Sequence, residues 1–104
     1  MPVDYLEEGQ ALTVQIIGEV DHHAAKSLMS QLTQKLDTAL PGSLELDMSK
    51  VTFMDSSGIA VVLRTWKRMC QLGGSMRLQN VPSYAAKVLK AAGVDKLLEM
   101  TEKE

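Results

Sequence analysis

Two adjacent serines, Ser56 and Ser57, lie where an apolar extended segment gives way to a helical pattern. The segment reads VTFMDSSG at 51–58, and the run IAVVLRTWKRMC follows it directly. A helix N-terminus carries unpaired backbone N–H groups and a partial positive charge, so it favours an anion. A serine in that place can carry a phosphate while its own fold stays intact. Ser56 is therefore a candidate for phosphorylation.

The same motif also has a purely structural interpretation. Asp and Ser are preferred N-cap residues, a cap contributes about 1 kcal/mol, and Gly58 would permit an unusual turn. Two serines beside Asp55 exceed what one cap needs, and loops that enter helices often carry function. From the residues alone, Ser56 stays open as either a cap or a switch.

A third interpretation makes Ser56 the nucleophile of a hydrolase. A nucleophile elbow needs Gly-x-Ser-x-Gly, but Met54 stands two positions before Ser56, so only the second glycine is present. His22 or His23 could supply a base and Asp21 an orienting carboxylate. The chain is far shorter than such a fold usually needs, so we expect no catalytic residue and a protein that is not an enzyme.

Metal and cofactor sites are not expected either. His22 and His23 are neighbours at a predicted helix start, and adjacent helix residues point in different directions. One cysteine and two histidines essentially exclude a structural zinc site of the usual kind. Gly73-Gly74 predicts a helix stop rather than a phosphate loop.

Composition places the chain among ordinary globular proteins. Its 104 residues, 45% of them apolar, fit one domain spanning 1–104. A net charge of −2 without a Lys/Arg stripe argues against direct binding to nucleic acid. There is no long apolar run, MPVDYLEEGQ lacks the features of a signal peptide, and Cys70 is the lone cysteine. We expect a cytoplasmic monomer that does not bind membranes.

Apolar periodicity predicts an α/β protein with the element order β-β-α-β-α-β-α. The opening hairpin turns at 7–10, the first helix runs from a cap at Asp21 to about Leu40, and the second covers 57–72. A third helix begins near Pro82 and closes at Gly93. The strands alternate apolar and polar residues, which favours a mixed sheet with helices on one face and water on the other. Residues 95–100 form either a short helix or an edge strand.

The second helix is predicted to bury a wide apolar stripe. Trp66 on that stripe is expected in the core or half-buried, and Cys70 is expected as a small buried hydrophobe. The stripe consists of Ile59, Val62, Leu63, Trp66, Met69 and Cys70.

Several segments together resemble the STAS domain family, and more narrowly the bacterial anti-sigma factor antagonists of the sporulation type. They are GEVDHHAAKSL at 18–28, VTFMDSSGIAVVL at 51–63, the Gly73-Gly74 turn and AAGVDKLLEM at 91–100. The similarity runs over nearly the whole chain. The combination of D-H-H with F-M-D-S-S-G is specific within that family, whereas D-S-S-G alone is weak.

The resemblance implies a four-stranded mixed sheet with helices packed mainly on one face, and a partner switch at the second helix. Such antagonists, when unphosphorylated, bind an anti-sigma factor that is also a GHKL-type serine kinase, and so free a sigma factor. The kinase phosphorylates the first serine of the motif, here Ser56, and the antagonist is released. A PP2C-type phosphatase resets the system.

By motif match, Asp21 falls where the family places an acidic contact to the anti-sigma factor. The docking loop and first helical turn correspond to Asp55, Ser57, Gly58 and Ile59. Ala60 departs from a common glycine, and the bulk of Arg64, at a site that is often small, could alter partner choice. A constitutive STAS adaptor, in a transporter-associated or stressosome-like assembly, is the alternative function.

Overall fold

Strands and helices alternate after an opening hairpin, in the predicted order. A computed structural model of the chain describes residues 3–104. The strands are β1 (Val3–Glu8), β2 (Ala11–Val20), β3 (Ser43–Met54), β4 (Ser75–Val81) and β5 (Glu99–Glu102). The α-helices are α1 (His22–Ala39), α2 (Ser56–Gln71) and α3 (Ser83–Ala91), and a 3₁₀ helix spans Val94–Lys96.

The strands form one mixed sheet in the order β1-β2-β3-β4-β5. β1 and β2 are antiparallel, and each later strand runs parallel to the one before it. Gly9, with φ of +60°, and Gln10 make the hairpin turn, which is tighter than the predicted 7–10. Glycine adopts this left-handed conformation without a steric penalty.

The sheet has five strands where the sequence predicts four. Residues 99–102 pair in parallel with β4, so the terminal segment contains both alternatives, a 3₁₀ turn and then an edge strand. Edge strands as short as this one show too little alternation to be recognised from sequence.

Apolar side chains of the strands face the helices, and polar ones face the opposite side. Leu12, Val14 and Ile16 of β2 are buried, while the residues between them are only half-buried. The same alternation continues in β3 through Leu44 and Leu46. α1 packs against α2, and both contact the sheet. The predicted arrangement, with helices covering one face, is confirmed.

The helix boundaries agree with the sequence prediction to within one or two residues. α1 follows its cap at Asp21, and α3 follows Pro82. α2 ends before Gly73, whose φ of +77° lies in the left-handed region that terminates helices.

The buried side of α2 differs from the predicted stripe. Cys70 is exposed, so the prediction of a buried cysteine is wrong. The residue before it, Met69, is fully buried, and one step along a helix turns the side chain by about 100°. Thr65 is buried instead, because its hydroxyl donates to the carbonyl of Val61 at 2.7 Å. Trp66 is half-buried against the core, as predicted.

A polar cluster on the open face of the sheet centres on Asp47. Its Oδ1 accepts from the backbone N–H of Ser49 at 2.9 Å and from Nδ2 of Asn80 at 3.4 Å. Its Oδ2 accepts from Nε2 of Gln15 at 3.4 Å. Burial alone raises the pKa of Asp47, but these hydrogen bonds outweigh it, so the pKa lies below its ordinary value. The ionised carboxylate therefore stabilises the fold.

The pH dependence of stability should report this cluster. The folded pKa of Asp47 is depressed, so its contribution is complete above the unfolded pKa of about 4 and is lost as pH falls through the folded pKa. Asp47→Ala should lower the free energy of unfolding at pH 7 by about 0.5–1.5 kcal/mol, because solvent screens a partly exposed carboxylate, measured by urea denaturation. The gap to the unsubstituted protein should shrink as pH falls below 4.

A matched control is Asp4→Ala, an exposed carboxylate on β1. We expect this variant to change stability by no more than about 0.5 kcal/mol. A constant gap between Asp47→Ala and the unsubstituted protein from pH 7 down to pH 2 would contradict the assignment.

Candidate functional site

Two helix N-termini lie side by side at the carboxyl ends of β2 and β3. Val20 pairs with Met54 in parallel register, so Asp21 and Asp55 each follow a strand and precede a helix. The N–H of Asp55 donates to the carbonyl of Val20 at 3.3 Å, which ties the two junctions together. Asp21 and the serine motif therefore lie at the same end of the sheet.

Both junctions are capped by an aspartate. Oδ1 of Asp21 accepts from the N–H of Ala24 at 2.8 Å, and Oδ1 of Asp55 accepts from the N–H of Ser57 at 2.8 Å. Both aspartates have the extended backbone typical of N-caps. The cap of α2 is therefore a carboxylate, and neither serine fulfils that role.

Ser56 is the first residue of α2, and it is exposed. Within residues 3–104 its hydroxyl makes no hydrogen bond, and the nearby backbone donor of Ser57 is satisfied by Asp55. Capping of the helix therefore explains Asp55 but does not explain Ser56. An exposed hydroxyl at a helix N-terminus is accessible to a modifying enzyme.

Ser57 is half-buried and contacts α1. Its Oγ lies 3.5 Å from Nδ1 of His22, at the long limit of a hydrogen bond, so the first turns of α1 and α2 touch. Asp21 directs its carboxylate to the backbone of Ala24. Across residues 3–104, Ser56 forms no hydrogen bond with a histidine.

Gly58 allows the first turn of α2 to pack closely against β3. A Cβ at this position would lie 2.2 Å from Cγ and 2.6 Å from Sδ of Met54. Its backbone is helical, so the expected role in an unusual turn is wrong, and close packing is the physical reason for glycine here. Ile59 is half-buried and packs against the core.

Sequence reasoning did not single out Phe53 as part of this surface. Its side chain is 46% exposed, two residues before the Asp55 cap. Simple alternation would place Phe53 on the same side as buried Val51, but the pairing of β2 with β3 shifts register here. Tyr84 lies nearby, since its hydroxyl donates to the carbonyl of Val51 at 2.8 Å. The irregular register left no signal in the sequence.

Residues 3–104 contain no group of three or more His, Cys, Asp or Glu side chains that could hold a metal ion. His22 and His23 are both exposed. In the same part of the chain, no helix combines the length and the apolar character that crossing a membrane requires.

The capping role of Asp55 can be tested by two substitutions. Asp55→Ala should lower the free energy of unfolding by about 1 kcal/mol, because it leaves the N–H of Ser57 without its acceptor. Asp55→Asn should cost much less, since asparagine also caps helices. Urea denaturation distinguishes them, and equal losses for both variants would contradict a capping role.

The close packing of Gly58 predicts that Gly58→Ala destabilises the fold. Alanine would improve helix propensity by up to about 1 kcal/mol, but overpacking against Met54 costs about 1–3 kcal/mol. We expect a net loss, measured by urea denaturation. Gly42→Ala is the control, because a Cβ there would meet Gln10 at an ordinary 3.5 Å. A Gly58→Ala variant as stable as the unsubstituted protein would refute the packing argument.

Known proteins resemble this chain in sequence. The chain is 29% identical over 93 residues to an anti-sigma F factor antagonist of Paenibacillus polymyxa, covering 89% of this chain and 80% of that one. It is 26% identical over 101 residues to an anti-sigma-B factor antagonist of Bacillus subtilis, covering 97% of this chain and 91% of that one.

Solved structures show the same fold. The anti-sigma factor antagonist SpoIIAA in its unphosphorylated form superposes with a TM-score of 0.75 at 19% identity, covering 99% of this chain and 90% of that one. The phosphorylated form of SpoIIAA, described as a Bacillus cell fate determinant, also gives 0.75 at 19% identity, covering 98% and 93%. The STAS domain model matches residues 3–104. The chain belongs to the STAS domain family.

Proposed function

We propose that this protein is an anti-sigma factor antagonist whose binding is controlled by phosphorylation of Ser56. The observation that carries the proposal is the exposed Ser56 hydroxyl at the first position of α2, with its capping role taken by Asp55. The names of the two sequence relatives and the existence of SpoIIAA in both phosphorylation states support it.

Phosphorylation at Ser56 would change the surface more than the fold. The phosphate adds a charge of about −1.5 to −2 at neutral pH. The N-terminus of α2 favours this anion, whereas the Asp55 carboxylate next to it and any acidic partner surface repel it. A coupling of about 1–3 kcal/mol between modification and binding changes affinity about 5–150-fold. Charge repulsion and steric overlap at an interface can supply that amount.

The proposed binding surface surrounds Ser56 at the two helix N-termini. Asp21 offers a carboxylate at the start of α1, and Asp55 offers one at the start of α2. Ser57 and Ile59 are half-buried, so each presents part of its side chain. Gly58 is buried and acts through the close packing that fixes the turn.

The proposed partners follow from this scheme. An anti-sigma factor with GHKL-type serine kinase activity binds the unphosphorylated protein, releases its sigma factor, and phosphorylates Ser56. A PP2C-type phosphatase removes the phosphate and restores binding. The protein acts as a cytoplasmic monomer and contacts neither nucleic acid nor membrane.

The test is phosphorylation with the purified anti-sigma factor of the same organism and ATP, followed by mass spectrometry. Ser56 should carry the phosphate. Ser56→Asp should weaken binding to the anti-sigma factor about 5–150-fold, whereas Ser56→Ala should bind like the unmodified protein and resist release by ATP.

Ser83→Asp is a matched control, because Ser83 is likewise an exposed serine at the first position of a helix, α3. It should leave the affinity unchanged. Unmodified Ser56 after incubation, together with full binding by Ser56→Asp, would reject the switch and favour the constitutive adaptor.

A further inference from the structure

A groove runs along the outer surface between α1 and α2. It comprises two adjoining cavities of about 270 Å³ and 530 Å³, which share Lys26, Met29 and Arg64. We call it the α1–α2 groove. It begins at His22 and Ser57, beside the proposed phosphorylation site, and continues along α1 to position 34. At 1.5 Å per residue this is about 18 Å of helix, the length of five or six residues of extended chain.

The groove carries positive charge that the described chain does not neutralise. Lys26 on α1 and Arg64 on α2 are exposed, and within residues 3–104 neither forms an ion pair or a hydrogen bond. No carboxylate of the described residues lines either cavity. Uncompensated cations on opposite walls of one groove favour a ligand that supplies negative charge.

One turn further along α2, by contrast, an arginine is paired with a carboxylate of α1. Arg68, four residues after Arg64, donates from Nε to Oδ1 of Asp37 on α1 at 2.9 Å. That ion pair closes the seam between α1 and α2 at this level. Around Arg64 the lining residues of α1 include Lys26, Thr33 and Gln34, and none of them is acidic. The seam is therefore closed at Arg68 by an ion pair with Asp37. Nearer Ser56 it is open, and there Lys26 and Arg64 form no ion pair within residues 3–104.

The floor of the groove is apolar. Ala25 and Val61 are buried there, and Met29 is half-buried against the core. Apolar walls lower the local dielectric, so an ion pair formed above them is stronger than one in open solvent. An acidic segment that also carries an apolar side chain would match both properties.

We propose that the α1–α2 groove binds an acidic segment of the anti-sigma factor and contributes to partner choice through Lys26 and Arg64. This inference rests on the proposed function, because the groove adjoins the surface around Ser56. The groove is open along its length, which suits a polypeptide better than a small molecule that needs to be largely enclosed. Two cations on a chain of net charge −2 are too few for nucleic acid.

The experiment measures the affinity of the purified anti-sigma factor for charge-reversal variants by titration calorimetry. Lys26→Glu and Arg64→Glu should each weaken binding about tenfold or more, since each replaces attraction by repulsion. The loss should become smaller at 0.5 M salt, where the Debye length falls to a few ångströms. Lys87→Glu, the same charge change at an exposed site on α3 outside the groove, should change affinity less than twofold.

Two further measurements distinguish a failure of the groove inference from misfolding of the variants. Thermal unfolding should show that Lys26→Glu and Arg64→Glu remain folded, and Arg64→Gln should give a smaller loss of affinity than Arg64→Glu. If Ser56→Asp weakens binding but both groove variants behave like Lys87→Glu, the groove inference is wrong and the switch stands. If the unsubstituted protein fails to bind the anti-sigma factor, both proposals are overturned.

Discussion

The hydrogen bond from the N–H of Ser57 to the carboxylate of Asp55 is the interaction on which the site depends. A helix that begins at the end of a strand needs an acceptor for its first free N–H groups. Because Asp55 supplies it from outside the helix, the next residue can expose its hydroxyl without any loss of helix stability. Asp55 thus stabilises the start of α2, while Ser56 presents its hydroxyl on the surface.

The parallel pairing of β2 with β3 places the start of α1 beside this junction. Val20 and Met54 lie side by side, so the starts of α1 and α2 are brought to one edge of the sheet. The contact between Ser57 and His22 joins their first turns, and the seam between the helices opens from there into a groove with two exposed cations. The surface thus carries two aspartate caps at the start of the helices and two exposed cations further along the seam.

Much of this architecture follows from local patterns, and the exceptions have physical causes. Strong periodicity and clear caps predicted α1, and the alternation of β2 and β3 predicted which face of the sheet is buried. The misplaced residues depend on packing between elements. Cys70 is exposed because it lies about 100° around α2 from the buried Met69, and Phe53 is exposed because β2 and β3 shift register. The value of Gly58 lies in its distance to Met54, which spacing along the chain does not reveal.

The tight contact between Gly58 and Met54 has a consequence for timing. A first turn that packs this closely against the strand has little room to move inward, so under the proposed scheme we expect phosphorylation of Ser56 to leave the scaffold in place. Under the proposed scheme, the response time is then set by enzyme turnover and by dissociation of the complex. The domain would then stay rigid, and the phosphorylated state would last until the phosphate ester on Ser56 is hydrolysed.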